Sequence, residues 1–261
     1  MSETKQTAVQ PMSRFGVADW LVETLRLTAF PQAAVPADHG TWWAEVFGEA
    51  PDETSEELRR GRSITKATYG AGEFVLQVLP GRVDWLLAAS GLDDGEMPAI
   101  GNYVQNLEAF LEFARRWFAL EDCPVLNRLA FGTIVHHPVQ DRETGYRQLQ
   151  PYLPSVTLDP VGSSDFQYRI NRPRNSQSRA AGLRINRLSV WGVAIFRHAV
   201  LQDWLGTVTP LAGPPCFSCR VELDINTAPD PEIALGREQL SAVFGELVDL
   251  AREIIEGGDV P

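Results

Sequence analysis

The sequence predicts an α+β protein: a largely antiparallel sheet with two long amphipathic helices, at about 102–120 and 237–256, packed on it. Three observations predict it. Alternating strand-like runs are joined by tight-turn residues, two segments carry a strong helical apolar stripe, and the order is strands, helix, strands, helix rather than the strict alternation of a doubly wound sheet. At 261 residues, with 44% hydrophobic and 22% charged residues, the chain is long enough to bury a full core without disulfide staples. The expected organisation is a polar, disordered tail over 1–16 followed by a single domain over 17–261.

The first strand is expected over 18–30, closed off by Pro31 and Pro36. Thr41 can cap a short helix through Trp42, Trp43, Val46 and Phe47 that stops at Gly48. Adjacent helical residues point about 100° apart, so one tryptophan should pack inward and the other partly outward. Residues 49–61 read as an acidic loop with at most one helical turn at 55–60. Strands follow over 64–69, 73–79 and 83–88, the last two joined through Pro80-Gly81. Phe74, Leu76 and Val78 alternate with Val75, Gln77 and Leu79, so both faces carry apolar groups, the pattern of a sheet covered on both sides.

Asn102 caps the first long helix, whose stripe is Tyr103, Leu107, Phe110, Leu111, Ala114, Trp117 and Phe118. A strand over 126–137 and a short helix from Asp141 come next, then strands over 166–172 and 183–199 and a last strand over 217–225. The closing helix carries Leu240, Val243, Phe244, Leu247, Ala251, Ile254 and Ile255 on one stripe and ends at Gly257-Gly258. No internal repeat stands out.

Cys123, Cys216 and Cys219 are too few, and odd in number, for a disulfide framework. The first residues lack an apolar signal segment and no run is long enough for a membrane span, so a cytoplasmic location and no membrane contact are expected. A net charge of −11 argues against binding nucleic acid over the whole surface. The charge is uneven, however. Residues 166–202 contain no Asp or Glu but seven arginines, and without that segment the remainder carries −18.

The layout resembles that of a sporadically distributed, functionally uncharacterised family of prokaryotic proteins. The resemblance runs through Glu23-Thr24-Leu25-Arg26-Leu27, the hairpin 75–87, the helix 102–120, the strand opening Leu126-Asn127-Arg128-Leu129, and Val221-Glu222-Leu223-Asp224-Ile225-Asn226 before the closing helix. It covers about 18–256 through pattern more than invariant motif, and departs at Leu129-Ala130-Phe131-Gly132, where the family has a more polar run. It implies no activity for particular residues. The family's patchy distribution resembles that of mobile or defence-associated genes.

P-loop, G-x-G-x-x-G, H-E-x-x-H, G-x-S-x-G and EF-hand patterns are absent from the sequence, so no catalytic residue, metal site or cofactor is assigned. Cys216 and Cys219 have C-x-x-C spacing, but in a strand residues three apart face opposite sides, and structural cysteines are the simpler reading. His136 and His137, adjacent on a strand, likewise point apart. Glu222, Asp224 and Asn226 share one strand face, which is the ordinary pattern of a solvated face as well as of a cation or acid–base site. Arg169, Arg172, Arg174, Arg179, Arg184 and Arg187 rise above this background, because two strands and their loop could gather planar guanidinium groups for carboxylates or phosphates. The competing reading is that they pair with acids of the same chain. The expected function is a non-catalytic interaction or adaptor subunit of a prokaryotic complex, docking a protein partner through this strand pair. The alternative is a binder or processor of a phosphorylated ligand, nucleic acid or nucleotide, through the same arginines.

Overall fold

The computed structural model describes residues 12–35, 41–90, 97–178, 182–196, 199–202, 207–210, 214–230, 232 and 234–261. The first half contains β1 (Leu21–Pro31), α1 (Trp42–Phe47), β2 (Glu53–Glu57), β3 (Arg62–Tyr69), β4 (Gly72–Leu79), β5 (Arg82–Ala89), β6 (Gly101–Asn102) and α2 (Tyr103–Ala119). The second contains β7 (Leu126–Val139), α3 (Arg142–Leu149), β8 (Gln167–Asn171), β9 (Arg174–Asn175), β10 (Arg184–Phe196), β11 (Ala199–Gln202), β12 (Thr207–Pro210), β13 (Cys216–Thr227) and α4 (Arg237–Gly257). An eleven-stranded sheet runs in the order β2-β3-β4-β5-β1-β7-β13-β10-β8, with β6 added to β1 and β9 to β10; β11 and β12 form a separate hairpin. The described pairings are antiparallel, so the fold is α+β with a mostly antiparallel sheet. Among the described residues no helix is long and apolar enough to cross a membrane.

This topology has an approximate two-fold repeat. Outward from the central β1–β7 pair, β5, β4 and β3 on one side answer β13, β10 and β8 on the other. In chain order, α1 follows β1 as α3 follows β7, and α2 and α4 close the two halves.

The helices lie on one face of the sheet. Phe110 of α2 stacks on Phe74, and Phe244 of α4 meets Phe131 edge-on, at ring-centroid distances of 5.8 Å each. On α3, a Cβ at Gly145 would stand 2.7 Å from a Val193 methyl, so only glycine lets this helix approach β10 so closely. Odd-numbered residues of β7, β10 and β13 face this side, giving a core that includes Phe131, Val135, Ile185, Trp191, Val221, Leu223 and Ile225. Asn102 caps α2 by accepting from the Val104 and Gln105 amides.

Several expectations need revision. Both Trp42 and Trp43 are buried, because α1 sits in the angle between the sheet and α2: Trp42 meets Trp117, Trp43 meets Phe74 and Trp85. Within the expected acidic loop, β2 pairs with β3 as an edge strand and a 3₁₀ turn covers Leu58–Arg60, since Glu53 and Glu57 find Lys66 and Arg62 across the ladder. Of the expected tail, 1–11 lie outside the described residues. Its end is held against the body: Phe15 stacks on His137, and Arg14 donates to the Pro151 carbonyl.

Candidate docking face

The pleat of β8, β9 and β10 divides the candidate arginines between the two faces of the sheet. Arg172, Arg174 and Arg187 fall on the helix-covered side; Arg169, paired in register with Val190, and Arg184, paired with Asn175, fall on the other. Arg179 lies outside the described residues.

On the covered side each guanidinium meets acid from the end of the chain. Arg172 grips Asp259 with two bonds, Nε to Oδ1 at 2.5 Å and Nη2 to Oδ2 at 2.8 Å, and Tyr168 donates its hydroxyl to the same carboxylate at 2.6 Å. Arg174 donates to both oxygens of Glu253, at 2.8 and 2.7 Å. Arg187 is 1% exposed, and its terminal nitrogens stand 3.4 Å from Glu253 and from the Val260 carbonyl. The Arg172 fork holds the Asp259 carboxyl below the usual carboxylate range, although burial opposes it. Burial, with Arg174 next, lowers the Arg187 guanidinium from its ordinary value. Among the described residues three cations thus share two carboxylates, and Arg187 Nε is buried without a hydrogen-bond partner.

On the uncovered side Arg169 and Arg184 are exposed, and neither has a carboxylate partner among the described residues. Other basic residues, not singled out from sequence, join them on this face. Arg26 lies so flat over Gly132 that a Cβ there would stand 3.2 Å from its Nη2. Arg128 donates to Asn226 Oδ1 at 2.8 Å and lies over the Phe30 ring. A β-bulge in β1 turns Glu23 toward Arg220, which grips it at 2.9 and 3.2 Å. Arg82 pairs with buried Asp84 at 2.7 Å. These side chains spread their aliphatic stems over the sheet and leave their charged ends near solvent. Each had a readable face within its own strand; only the register puts 26, 128, 169 and 220 on one surface.

The remaining sequence candidates resolve into internal contacts. Asp224 accepts from Asn226, and Glu222 stands 3.6 Å from Arg220. His136 is buried, with Nε2 3.1 Å from the Pro98 carbonyl and Nδ1 3.2 Å from the Ser218 hydroxyl. Cys219 is buried and faces the core, whereas Cys216 lies on the opposite pleat. Burial pushes the Cys123 and Cys219 thiols up to about 12. Alkylating the native protein near neutral pH should therefore spare both, as read by peptide mass mapping; rapid labelling of Cys219 would contradict the packing. A groove of about 1010 Å³ runs between α4 and 174–178, and Glu246 on its wall already receives the Ser176 hydroxyl and the Gln177 amide. Among the described residues no three His, Cys, Asp or Glu side chains are gathered to hold a metal ion.

No protein-family model matches the chain, and comparison with curated proteins found no detectable relative.

Proposed function

We propose that this protein is a non-catalytic interaction subunit that seats an acidic protein surface on its uncovered sheet face, with Arg169 and Arg184 as the leading contacts. The observation that carries this reading is the division of the arginines. Those on the covered side are engaged by Asp259 and Glu253, while Arg169 and Arg184 are exposed and have no carboxylate partner among the described residues. Guanidinium groups fixed on adjacent strands are preorganised for carboxylates, because the sheet has already ordered the backbone that carries them. In this reading the helical layer, with α2 and α4 presenting amphipathic stripes, is scaffold. In this reading the partner belongs to a prokaryotic, defence-associated complex in the cytoplasm, which is what the resemblance noted from the sequence implies.

A fluorescent oligoglutamate peptide tests the reading directly. Binding should weaken as salt rises, and Arg169→Ala with Arg184→Ala should reduce affinity roughly three- to tenfold, from two exposed charge contacts. An affinity unchanged by the double substitution would contradict it. The second reading, a phosphorylated ligand, draws on the three cations that share two carboxylates. Such a ligand would have to displace Asp259, so it requires polyphosphate or duplex DNA to bind more tightly to Asp259→Asn than to the unaltered chain.

A further inference from the structure

We propose that the cleft between α2 and α4 binds a small organic carboxylate, with Arg115 and Arg252 taking the anionic head and an apolar wall taking the body. The site lies in the helical layer, across the sheet from Arg169 and Arg184, and stands independently of the docking reading.

The two helices touch through Phe118 and Phe244, whose rings meet edge-on at 5.7 Å between centroids. Beside that contact lies a cavity of about 250 Å³. Its opening has an identifiable cause on α4. Gly245 sits inside a 21-residue helix, where glycine costs helix stability relative to alanine. Neither a turn nor close packing calls for it. A Cβ at Gly145 of α3 would collide with Val193, whereas one at Gly245 would meet no neighbouring heavy atom within 4 Å among the described residues. The missing side chain on the cavity wall is what leaves the space open.

Leu111, Phe118, Phe244 and Val248 supply the apolar part of that wall. Small-molecule sites join such a wall to a few placed polar groups. Here these are Arg115 and Arg252, one from each helix, with the Ser241 hydroxyl. Both arginines have donors to spare. Arg252 has no ion pair among the described residues, and its Nε is buried without a hydrogen-bond partner. A buried donor of this kind is costly to leave unmet. Arg115 stands 3.7 Å from Glu112, a carboxylate that Arg116 also holds at 3.3 Å. Among the described residues the wall carries one acid, Asp249, which is exposed one turn before Arg252. Cations therefore outnumber anions at the mouth.

This lining selects a class of ligand. A guanidinium fork matches the plane of a carboxylate, and the apolar wall favours an organic body over a bare inorganic anion. The volume falls just below that of sites for drug-sized molecules, so the ligand has about ten non-hydrogen atoms.

Ligand-observed NMR with phenylacetate, a carboxylate of about that size, tests the site on the full chain. The unaltered protein should bind it with a dissociation constant of about 1 mM or tighter. Phenylacetamide, of the same shape but uncharged, should bind at least about tenfold more weakly. Arg252→Gln should weaken phenylacetate binding at least about tenfold, and Arg115→Gln, at an exposed side chain, about three- to tenfold. Gly245→Leu should abolish binding with no fall in melting temperature, because leucine fills the cavity and favours the helix. Arg169→Ala with Arg184→Ala should bind phenylacetate as the unaltered chain does, which separates this site from the docking face. Absence of binding at about 10 mM phenylacetate would overturn the proposal. So would equal affinity for the amide, or any of the Arg252, Arg115 and Gly245 variants binding like the unaltered chain. Unfolding of Gly245→Leu would show that packing already fills the space, and would overturn it too.

Discussion

Replacing Asp259 by Asn should destabilise the protein by about 2–4 kcal/mol, read as a lower denaturant midpoint with an unchanged slope. The carboxylate is 3% exposed and collects two bonds from Arg172 and one from Tyr168. An amide keeps the shape but removes the charge that balances Arg172 and nearby Arg187, leaving the second of these buried among fewer acceptors. Arg172 is partly open to solvent, so water screens some of the loss. The acid dependence has a definite sign. Because the folded carboxyl sits below its ordinary value of 3.8, its contribution is present above the unfolded value and is lost as pH falls through the folded one. The unaltered protein should therefore lose stability as pH drops below about 4 in a way that the Asn variant does not. Parallel pH profiles for the two proteins would place the effect elsewhere.

Gly258→Ala should be at least as damaging, at roughly 2–5 kcal/mol. Gly258 ends α4 with φ +82°, where a side chain is strained, and a Cβ there would stand 2.2 Å from the Tyr152 carbonyl oxygen and 2.6 Å from its Cα. These are backbone atoms and cannot swing aside. The same carbonyl accepts from the Asp259 amide at 2.8 Å, so the displacement pulls Asp259 away from Arg172. Since both substitutions undo one anchor, their effects should sum to less than the separate losses. Full additivity in a double-mutant cycle would show that Gly258 and Asp259 act independently.

Much of the scaffold was legible because it rests on local periodicity. The Asn102 cap, the stop at Gly258 and the Pro80-Gly81 hairpin are each set by residues within a turn or two of one another. The Trp42–Trp43 pair and β2 were misread for the opposite reason. Their environments come from Trp85 and Lys66, which are distant or across a ladder, and acidic composition alone did not distinguish an edge strand from a loop. The two-fold repeat of strand order left no trace in residue identity. At the arginine segment, alternation can group residues by strand face, but it does not say what each face will meet. The partners Asp259 and Glu253 are more than 65 residues away in sequence. Arg26, Arg128 and Arg220 were overlooked because strand register, which no single segment encodes, brings them together.

Thermal melting of three single-arginine variants tests the separation of inward and outward guanidiniums most directly. Arg172→Ala strips a buried carboxylate of its partner and should lower Tm by about 5–10 °C, at ~2–4 °C per kcal/mol for a chain of this size. Arg169→Ala and Arg184→Ala should each stay within about 2 °C of the unaltered protein. A large drop for either outward arginine, or none for Arg172, would contradict the account.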